Sequence, residues 1–153
     1  MPLFRLTYVS TSISSRPTEL NLVNQEIVSV AAARNRERSI TGALVLIDRF
    51  YIQTLEGPRV SVCEIYNRIA CDDRHERVEL IGACHPSERR FPEDDLIFGS
   101  AISEHLPMLA KYQVWREFCP YSISPESLEL LTDEIFSHVR SMQPIPEDVR
   151  MFA

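Results

Sequence analysis

The stretch SITGALVLIDRFYIQTLEGP, residues 39–58, decides the fold of this protein. It contains two runs of apolar and β-branched residues that are separated only by Asp48 and Arg49. Two such runs with a two-residue connection predict a β-hairpin, and Gly57 followed by Pro58 predicts its end. Pro58 is also suited to open a helix, because proline favours the first helical turn.

Gln53 is an unusual residue for the second strand of this hairpin. Its side-chain amide has donors and acceptor sites, and burying it unpaired would cost about 1–3 kcal/mol. Successive strand residues face opposite sides of a sheet, and this alternation leaves two interpretations open. Gln53 either faces solvent or is buried beside a partner that satisfies its amide.

Further elements alternate around the hairpin. Residues 3–10 predict a strand, residues 21–38 a helix with Asn21 as its N-cap, and residues 60–72 a second helix. Residues 77–85 predict a fourth strand, and a short fifth strand follows within residues 91–101. The order βαββαβ with one added strand predicts an α+β, ferredoxin-like fold, in which two helices cover one face of a five-stranded mixed sheet.

The C-terminal part of the chain is predicted to be helical. Ser124 and Pro125 indicate a helix start, and residues 103–118 predict a shorter helix. An apolar stripe at helical spacing follows Pro125: Leu128, Leu131, Ile135, Val139 and Met142. These helices either cover the other face of the sheet or form an oligomer interface. We therefore expect a domain at residues 1–101 and a helical extension at residues 102–153.

Composition and charge exclude several classes of protein. The formal net charge of −6 over 153 residues disfavours nucleic acid as the main partner, because phosphate binding needs a basic surface. The sequence contains no apolar run long enough to span a membrane and no signal-peptide pattern, so a cytoplasmic location is expected. The four cysteines lack metal-binding spacing, which favours free thiols over a zinc site.

Several polar side chains are candidates for chemistry, and each also has an ordinary structural explanation. Tyr8 can fill the core with its hydroxyl bonded, and Asn35 can cap a helix. Arg68 and Asp72, four residues apart, can form an intrahelical ion pair. The sequence has neither a glycine-rich phosphate loop nor a nucleophile motif, so a conventional nucleophilic enzyme is disfavoured.

Taken together, the segments at residues 3–10, 35–58, 62–75 and 88–91 resemble the BLUF family of blue-light sensors that bind FAD. The interval from Thr41 to Gln53 and the ending QTLEG carry the resemblance most specifically. The resemblance implies that FAD binds noncovalently between the two helices, against the sheet. It implies Tyr8 and Gln53 as the photoactive pair. The further FAD contacts that it implies are Ile27, Arg34, Asn35, Arg68, Ile69, Asp72 and Arg74.

The resemblance also implies a mechanism. Light drives an electron from Tyr8 to the flavin while the proton moves through Gln53, and the hydrogen bonds around the flavin are rearranged. Nothing is turned over, so the chain is expected to be a sensor and not an enzyme. Its signal is expected to pass to a separate protein partner, and homo-oligomers are frequent among short members of this family.

The sequence departs from the family pattern near the fifth strand. Asp94 and Leu96 stand where the family usually has Trp and Met residues that relay the signal, and the only tryptophan is Trp115. We therefore expect altered signal transmission or recovery with the primary photochemistry retained. One alternative is a flavin-binding or flavin-free interaction module that has lost light signalling. Another is an acylphosphatase-like hydrolase using Arg34 and Asn35, which the glycine-poor loops disfavour.

Overall fold

The computed structural model describes residues 2–14, 17–101, 107–112 and 118–142. Its strands and helices are β1 (Leu3–Ser12), α1 (Pro17–Glu37), β2 (Thr41–Ile47), β3 (Phe50–Pro58), α2 (Arg59–Ala70), β4 (His75–Cys84), β5 (Ile97–Ala101) and α3 (Pro125–Met142). Two short 3-10 helices, Pro107–Tyr112 and Pro120–Ser122, precede α3. Among the helices of these ranges, none is long and apolar enough to cross a membrane.

The five strands form one mixed sheet in the order β4-β1-β3-β2-β5. The β2–β5 pair is parallel and the other pairs are antiparallel. The predicted hairpin is confirmed: β2 ends at Ile47, β3 begins at Phe50, and Asp48 adopts the positive φ of 56° that a tight hairpin turn requires. The predicted α+β, ferredoxin-like fold with an added strand is therefore confirmed.

Several predicted boundaries differ from the structure. Helix α1 begins at Pro17, not after Asn21, because a proline in the first turn needs no backbone N–H partner and lets the helix start early. Helix α2 ends at Ala70, so Asp72 lies beyond it. Strand β4 begins at His75, two residues before the predicted start at residue 77, because His75 pairs with Ser12 of the lengthened β1.

The two faces of the sheet carry different layers. One face, with Leu6, Tyr8 and Leu55, packs against α2 through Val62 and Ile65. The opposite face is covered by α3, whose buried side chains Leu128, Leu131, Ile135 and Phe136 meet Val9, Val45 and Ile52 of the sheet. The side chains of Val139 and Met142, which complete the predicted stripe, lie outside the described part of the structure, as does Trp115.

The start of α3 agrees with the sequence. Helix α3 begins at Pro125, and the Ser124 side-chain oxygen accepts a hydrogen bond from the backbone N–H of Ser127 at 3.2 Å. The Ser124 carbonyl accepts another from Leu128 at 2.9 Å. Ser124 is thus the predicted N-cap, which satisfies a donor that the first helical turn leaves free.

The buried carboxylate of Glu56 fixes the connection between β4 and β5. Glu56 is fully buried, and it accepts hydrogen bonds from Arg5 Nε at 2.6 Å, from the Arg90 backbone N–H at 2.9 Å and from the Phe91 backbone N–H at 3.2 Å. The charge is therefore paired and its oxygens are occupied, which is the condition under which a buried carboxylate is tolerated.

Candidate functional site

A cleft opens between the sheet and the two helices on its first face, with about 630 Å³ of empty space that includes its part open to solvent. The sheet contributes Tyr8, Leu44, Tyr51 and Gln53, helix α1 contributes Val30, Ala31 and Arg34, and α2 with the segment after it contributes Arg68, Ile69, Asp72, Arg74 and His75. The topology thus gathers on one side of the sheet residues that are up to 67 positions apart in the chain (75 − 8).

Tyr8 and Gln53 form a buried pair at the floor of this cleft. They are opposite each other in the β1–β3 register, and only 3% and 4% of their surfaces are exposed. The Tyr8 hydroxyl donates a hydrogen bond to Gln53 Oε1. The strand pattern left two interpretations of Gln53 open. The structure agrees with the second of them, because Gln53 is buried and its amide has a partner.

The environment of Tyr8 keeps its hydroxyl protonated. Burial, followed by the neighbouring Tyr51, Tyr66 and Asp72, raises the pKa of Tyr8 well above its ordinary value of 10.0. Removing the phenolic proton would place a charge in a region that water does not reach. At physiological pH, Tyr8 is therefore a neutral hydrogen-bond donor to Gln53.

Two polar residues of the cleft, Tyr51 and His75, were not identified from the sequence. Tyr51 is two positions before Gln53, so the alternation of strand faces was a signal that the two share a face. Burial also raises the pKa of Tyr51. The His75 ring is edge-on to Tyr8 and Tyr51, with centroid separations of 6.5 and 6.3 Å. No comparable pattern marked His75 in the sequence.

The hydrogen bonds of His75 determine its tautomer. Its Nε2 faces the carbonyl oxygen of Ile69, which can only accept, so the proton of the neutral ring is on Nε2. Its Nδ1 is 2.8 Å from the Ser10 hydroxyl and accepts a hydrogen bond from it. His75 thereby ties the end of α2 to β1, directly beside Tyr8.

Three arginines among the lining residues, Arg34, Arg68 and Arg74, give the cleft a cationic side. Asp72 pairs with Arg74, whose Nε donates to Oδ1 at 2.9 Å, and not with Arg68 as the four-residue spacing suggested. The spacing misled because α2 ends before Asp72. The side-chain hydrogen bond from Arg74 is the largest of the effects that lower the pKa of Asp72.

The remaining candidates lie around the cleft and not in its lining. Asn35 is buried at the end of α1, and its Nδ2 donates to the backbone carbonyl of Asp95 at 2.8 Å. Leu96 is half-buried and packs on the cluster of Leu44, Leu46 and Tyr51, while the Asp94 carbonyl accepts a hydrogen bond from the Gly42 N–H at 3.1 Å.

Two further points complete the placement of the candidates. Both Asp94 and Leu96 precede β5, which begins at Ile97. The side chain of Ile27, on α1, lies outside the described part of the structure.

Among the described residues, no group of three His, Cys, Asp or Glu side chains is placed to hold a metal ion. All four cysteines have free thiols. What the cleft offers instead is an amide, a phenol, cationic side chains and apolar walls.

Comparison with known proteins identifies this combination. The family profile described as "BLUF: Sensors of blue-light using FAD" matches residues 3–96, more than half of the chain. The chain belongs to the BLUF family. The family and the flavin-based blue-light sensing expected from the sequence are confirmed.

Curated relatives include the photoactivated adenylate cyclase subunit beta of Euglena gracilis, 38% identical over 90 residues. The match spans 58% of this chain and 10% of that protein. The blue light- and temperature-regulated antirepressor BluF of Escherichia coli is 36% identical over 67 residues, which are 44% of this chain and 17% of that protein. This BLUF chain thus spans only a small part of the length of these curated relatives.

Solved structures support the same fold. The dark-state structure of the BLUF protein BlrB is 30% identical, with a TM-score of 0.61, and the match covers 72% of this chain and 80% of that one. The ground state of BlsA has a TM-score of 0.76 at 20% identity and covers 86% of both chains. At 20% identity, the match to BlsA shows a shared fold and nothing further.

The family binds flavin, and the residues of the cleft fit this group. Val30, Leu44 and Ile69 provide apolar walls for a flat ring system. The amide of Gln53 can bond a polar ring edge, because Tyr8 occupies its acceptor oxygen and its two N–H donors remain for another partner. The arginines supply positive charge for phosphate.

Proposed function

We propose that the flavin of this BLUF domain is FAD, held noncovalently in the cleft. The proposal is supported by the family description and by the three lining arginines, because a dinucleotide brings two phosphates to neutralise. Arg34, Arg68, Ile69, Asp72 and Arg74 are the proposed contacts of the cofactor.

Ile27 and Asn35 complete the proposed set on the resemblance to the family alone. The amide of Asn35 is engaged with Asp95 in the structure. The phosphate-binding part of the proposal therefore depends chiefly on the arginines and not on Asn35.

We propose Tyr8 and Gln53 as the photoactive pair, and the hydrogen bond between them is the observation that carries this proposal. Bound flavin supplies absorption of blue light and an acceptor for one electron. Tyr8 gives up an electron, and its hydroxyl proton moves toward Oε1 of Gln53, to which it is already bonded. When both return to Tyr8, the amide of Gln53 is left with its donor and acceptor ends exchanged.

Absorption spectroscopy of the full chain tests this function. We expect yellow flavin absorbance in the purified protein, a red shift after blue light and recovery in darkness. Flavin absorbance without a shift would leave an inert flavin binder, and no absorbance after added FAD would favour the interaction module that Asp94 and Leu96 suggest. Chromatography of the flavin released by heat distinguishes FAD from FMN.

We further propose that this chain is a cytoplasmic sensor without enzymatic activity of its own, and that it signals to a separate protein partner. Residues 1–101 are the proposed sensor domain and residues 102–153 the helical extension. The packing of α3 on the sheet supports an extension that belongs structurally to the sensor. The expected homo-oligomer is tested by light scattering after size-exclusion chromatography, in darkness and under blue light.

A further inference from the structure

Arg90 and Phe91 lie in the connection between β4 and β5. They contact two elements, β3 through their backbone and α3 through their side chains. Their backbone N–H groups donate to the carboxylate of Glu56 on β3, at 2.9 and 3.2 Å. Their side chains contact α3: Arg90 Nη2 is 2.7 Å from Oδ1 of Asp133, and the Phe91 ring is 5.4 Å from the ring of Phe136. The backbone of the dipeptide is therefore held by β3 and its side chains are held by α3.

The geometry of β3 places this connection directly behind the photoactive residue. Gln53 and Glu56 are three positions apart on one strand, so their side chains face opposite sides of the sheet. Gln53 faces the cleft and Glu56 faces the layer that contains α3. Glu56 therefore connects the strand that carries Gln53 to the far side of the sheet, and β5 is not part of this connection.

The contacts along this path are of the kind that transmits displacement. Glu56 is fully buried, and its carboxylate accepts hydrogen bonds from three donors. Because water does not reach it, the carboxylate cannot exchange these partners for solvent. Phe91 is 2% exposed and packs edge-to-face on Phe136. Asp133 and Phe136 are three residues apart on α3, so Arg90 and Phe91 contact one face of that helix.

We infer that Arg90 and Phe91 transmit the light state of Gln53 from β3 to α3, which makes α3 the element that changes at the surface. This inference rests on the proposed function, because it requires Gln53 to rearrange. It also accounts for how a chain with Asp94 and Leu96 before β5 can still signal, since the path bypasses that strand.

Amide hydrogen exchange of the full chain loaded with FAD tests the inference. Exchange in residues 125–142 is measured in darkness and under continuous blue light, with the absorption shift recorded on the same samples. In the unaltered chain we expect a light-dependent change in α3. In Asp133→Asn the absorption shift persists and the change in α3 falls to about half or less. In Arg90→Gln we expect the same, whereas Arg90→Lys, which keeps the charge, restores the change.

The matched control is Glu64→Gln, which removes the surface ion pair between Glu64 and Arg38, a pair that does not involve α3. It should leave the light-dependent change in α3 as it is in the unaltered chain. Asp133 has a half-exposed side chain, so its substitution tests coupling and not folding.

A full change in α3 in both Asp133→Asn and Arg90→Gln would overturn the inference, as would a red shift with no change in α3 of the unaltered chain. Absence of any red shift in the unaltered chain is a failure of the proposed function, and it would remove the basis of the inference as well.

Discussion

Tyr8 of β1 and Gln53 of β3 are directly opposite each other in an antiparallel pair, and the phenol donates its hydrogen bond to the Oε1 atom of the amide. Both side chains are almost completely buried. Because the backbone of both strands is held by the sheet on either side, the pair has little freedom to separate. Rearrangement is therefore confined to the hydroxyl and the amide.

Replacing either member of the pair should abolish the light response without abolishing flavin binding. Tyr8→Phe removes the hydroxyl that supplies electron and proton, and Gln53→Leu removes the amide that rearranges. We expect both variants to be yellow and to show no reversible red shift in difference spectra. The matched control is Tyr121→Phe, because Tyr121 is bonded to Thr11 and packs with the α3-side core. A normal shift in Tyr8→Phe would exclude Tyr8 as the donor.

The stability of the protein should fall at high pH, and Tyr8 should contribute to that fall. The folded state raises the pKa of Tyr8 above its ordinary value of 10.0, so above that pH the unfolded chain releases a proton that the folded chain retains. The contribution is fully present below about pH 10 and is lost as the pH rises further. Urea unfolding at a series of pH values up to about 11 measures it.

The comparison for this titration is Tyr8→Phe. Phenylalanine has no proton to release, so the variant should lose less stability than the unaltered chain over the same rise in pH. Tyr51, Tyr66 and Tyr121 also have raised pKa values and will leave a residual slope in the variant. Equal slopes in the two proteins would contradict the placement of Tyr8 in a region that water does not reach.

Gly42→Ala should destabilise the sheet strongly. A Cβ atom at this position would overlap the backbone carbonyl oxygen of Thr54 on the paired strand β3, which cannot move away without breaking the ladder. We expect a loss of about 3 kcal/mol in the free energy of unfolding, measured with urea.

Gly82→Ala is the matched control for Gly42→Ala. There the added methyl would meet only the end of the Glu129 side chain, which can swing aside, so the expected cost is about 1 kcal/mol or less. Similar losses in the two variants would mean that backbone overlap at Gly42 is not what makes the position sensitive.

Glu56→Gln should also lower the free energy of unfolding, for an electrostatic reason. The substitution leaves the mostly buried guanidinium of Arg5 without its countercharge and weakens the bonds to Arg90 and Phe91. We expect a loss of about 3 kcal/mol in the free energy of unfolding. Glu64→Gln, which breaks an exposed pair with Arg38, should cost less than about 1 kcal/mol in the same measurement. Equal costs would show that burial of Glu56 is not decisive.

Leu96→Met should alter recovery in darkness while the initial red shift is unchanged. Leu96 packs on the cluster of Leu44, Leu46 and Tyr51, which borders the cleft, and a change of about 0.5 kcal/mol in this packing corresponds to roughly a twofold change in rate. The recovery of absorbance after a light pulse measures this. Ile97→Met, on the opposite face, is the control and should leave the recovery time unchanged. Identical recovery in Leu96→Met and the unaltered chain would rule out a role for this position.

Much of the fold could be predicted because local patterns reported local structure. The alternation of residues in the hairpin, its two-residue turn at Asp48, and the Ser124-Pro125 start of α3 all follow from short-range rules that the structure obeys. The start of α1 at Pro17 was missed because a polar, proline-containing segment can be either a loop or a first helical turn.

The sequence by itself determined which residues of a strand share a face, because a strand's alternation is independent of what packs on it, but the alternation left open which face is buried. It named Tyr8 and Gln53 as candidates, and the resemblance to the BLUF family, which the comparisons confirm, implied them as a pair. Only the tertiary structure decided the partners of charged and polar side chains. Asp72 pairs with Arg74, Asn35 with Asp95, and Glu56 with Arg5 and the Arg90-Phe91 backbone. The physical reason is that hydrogen bonds and ion pairs depend on distances in space between segments remote in sequence, or on where a helix stops, and no residue periodicity encodes those distances.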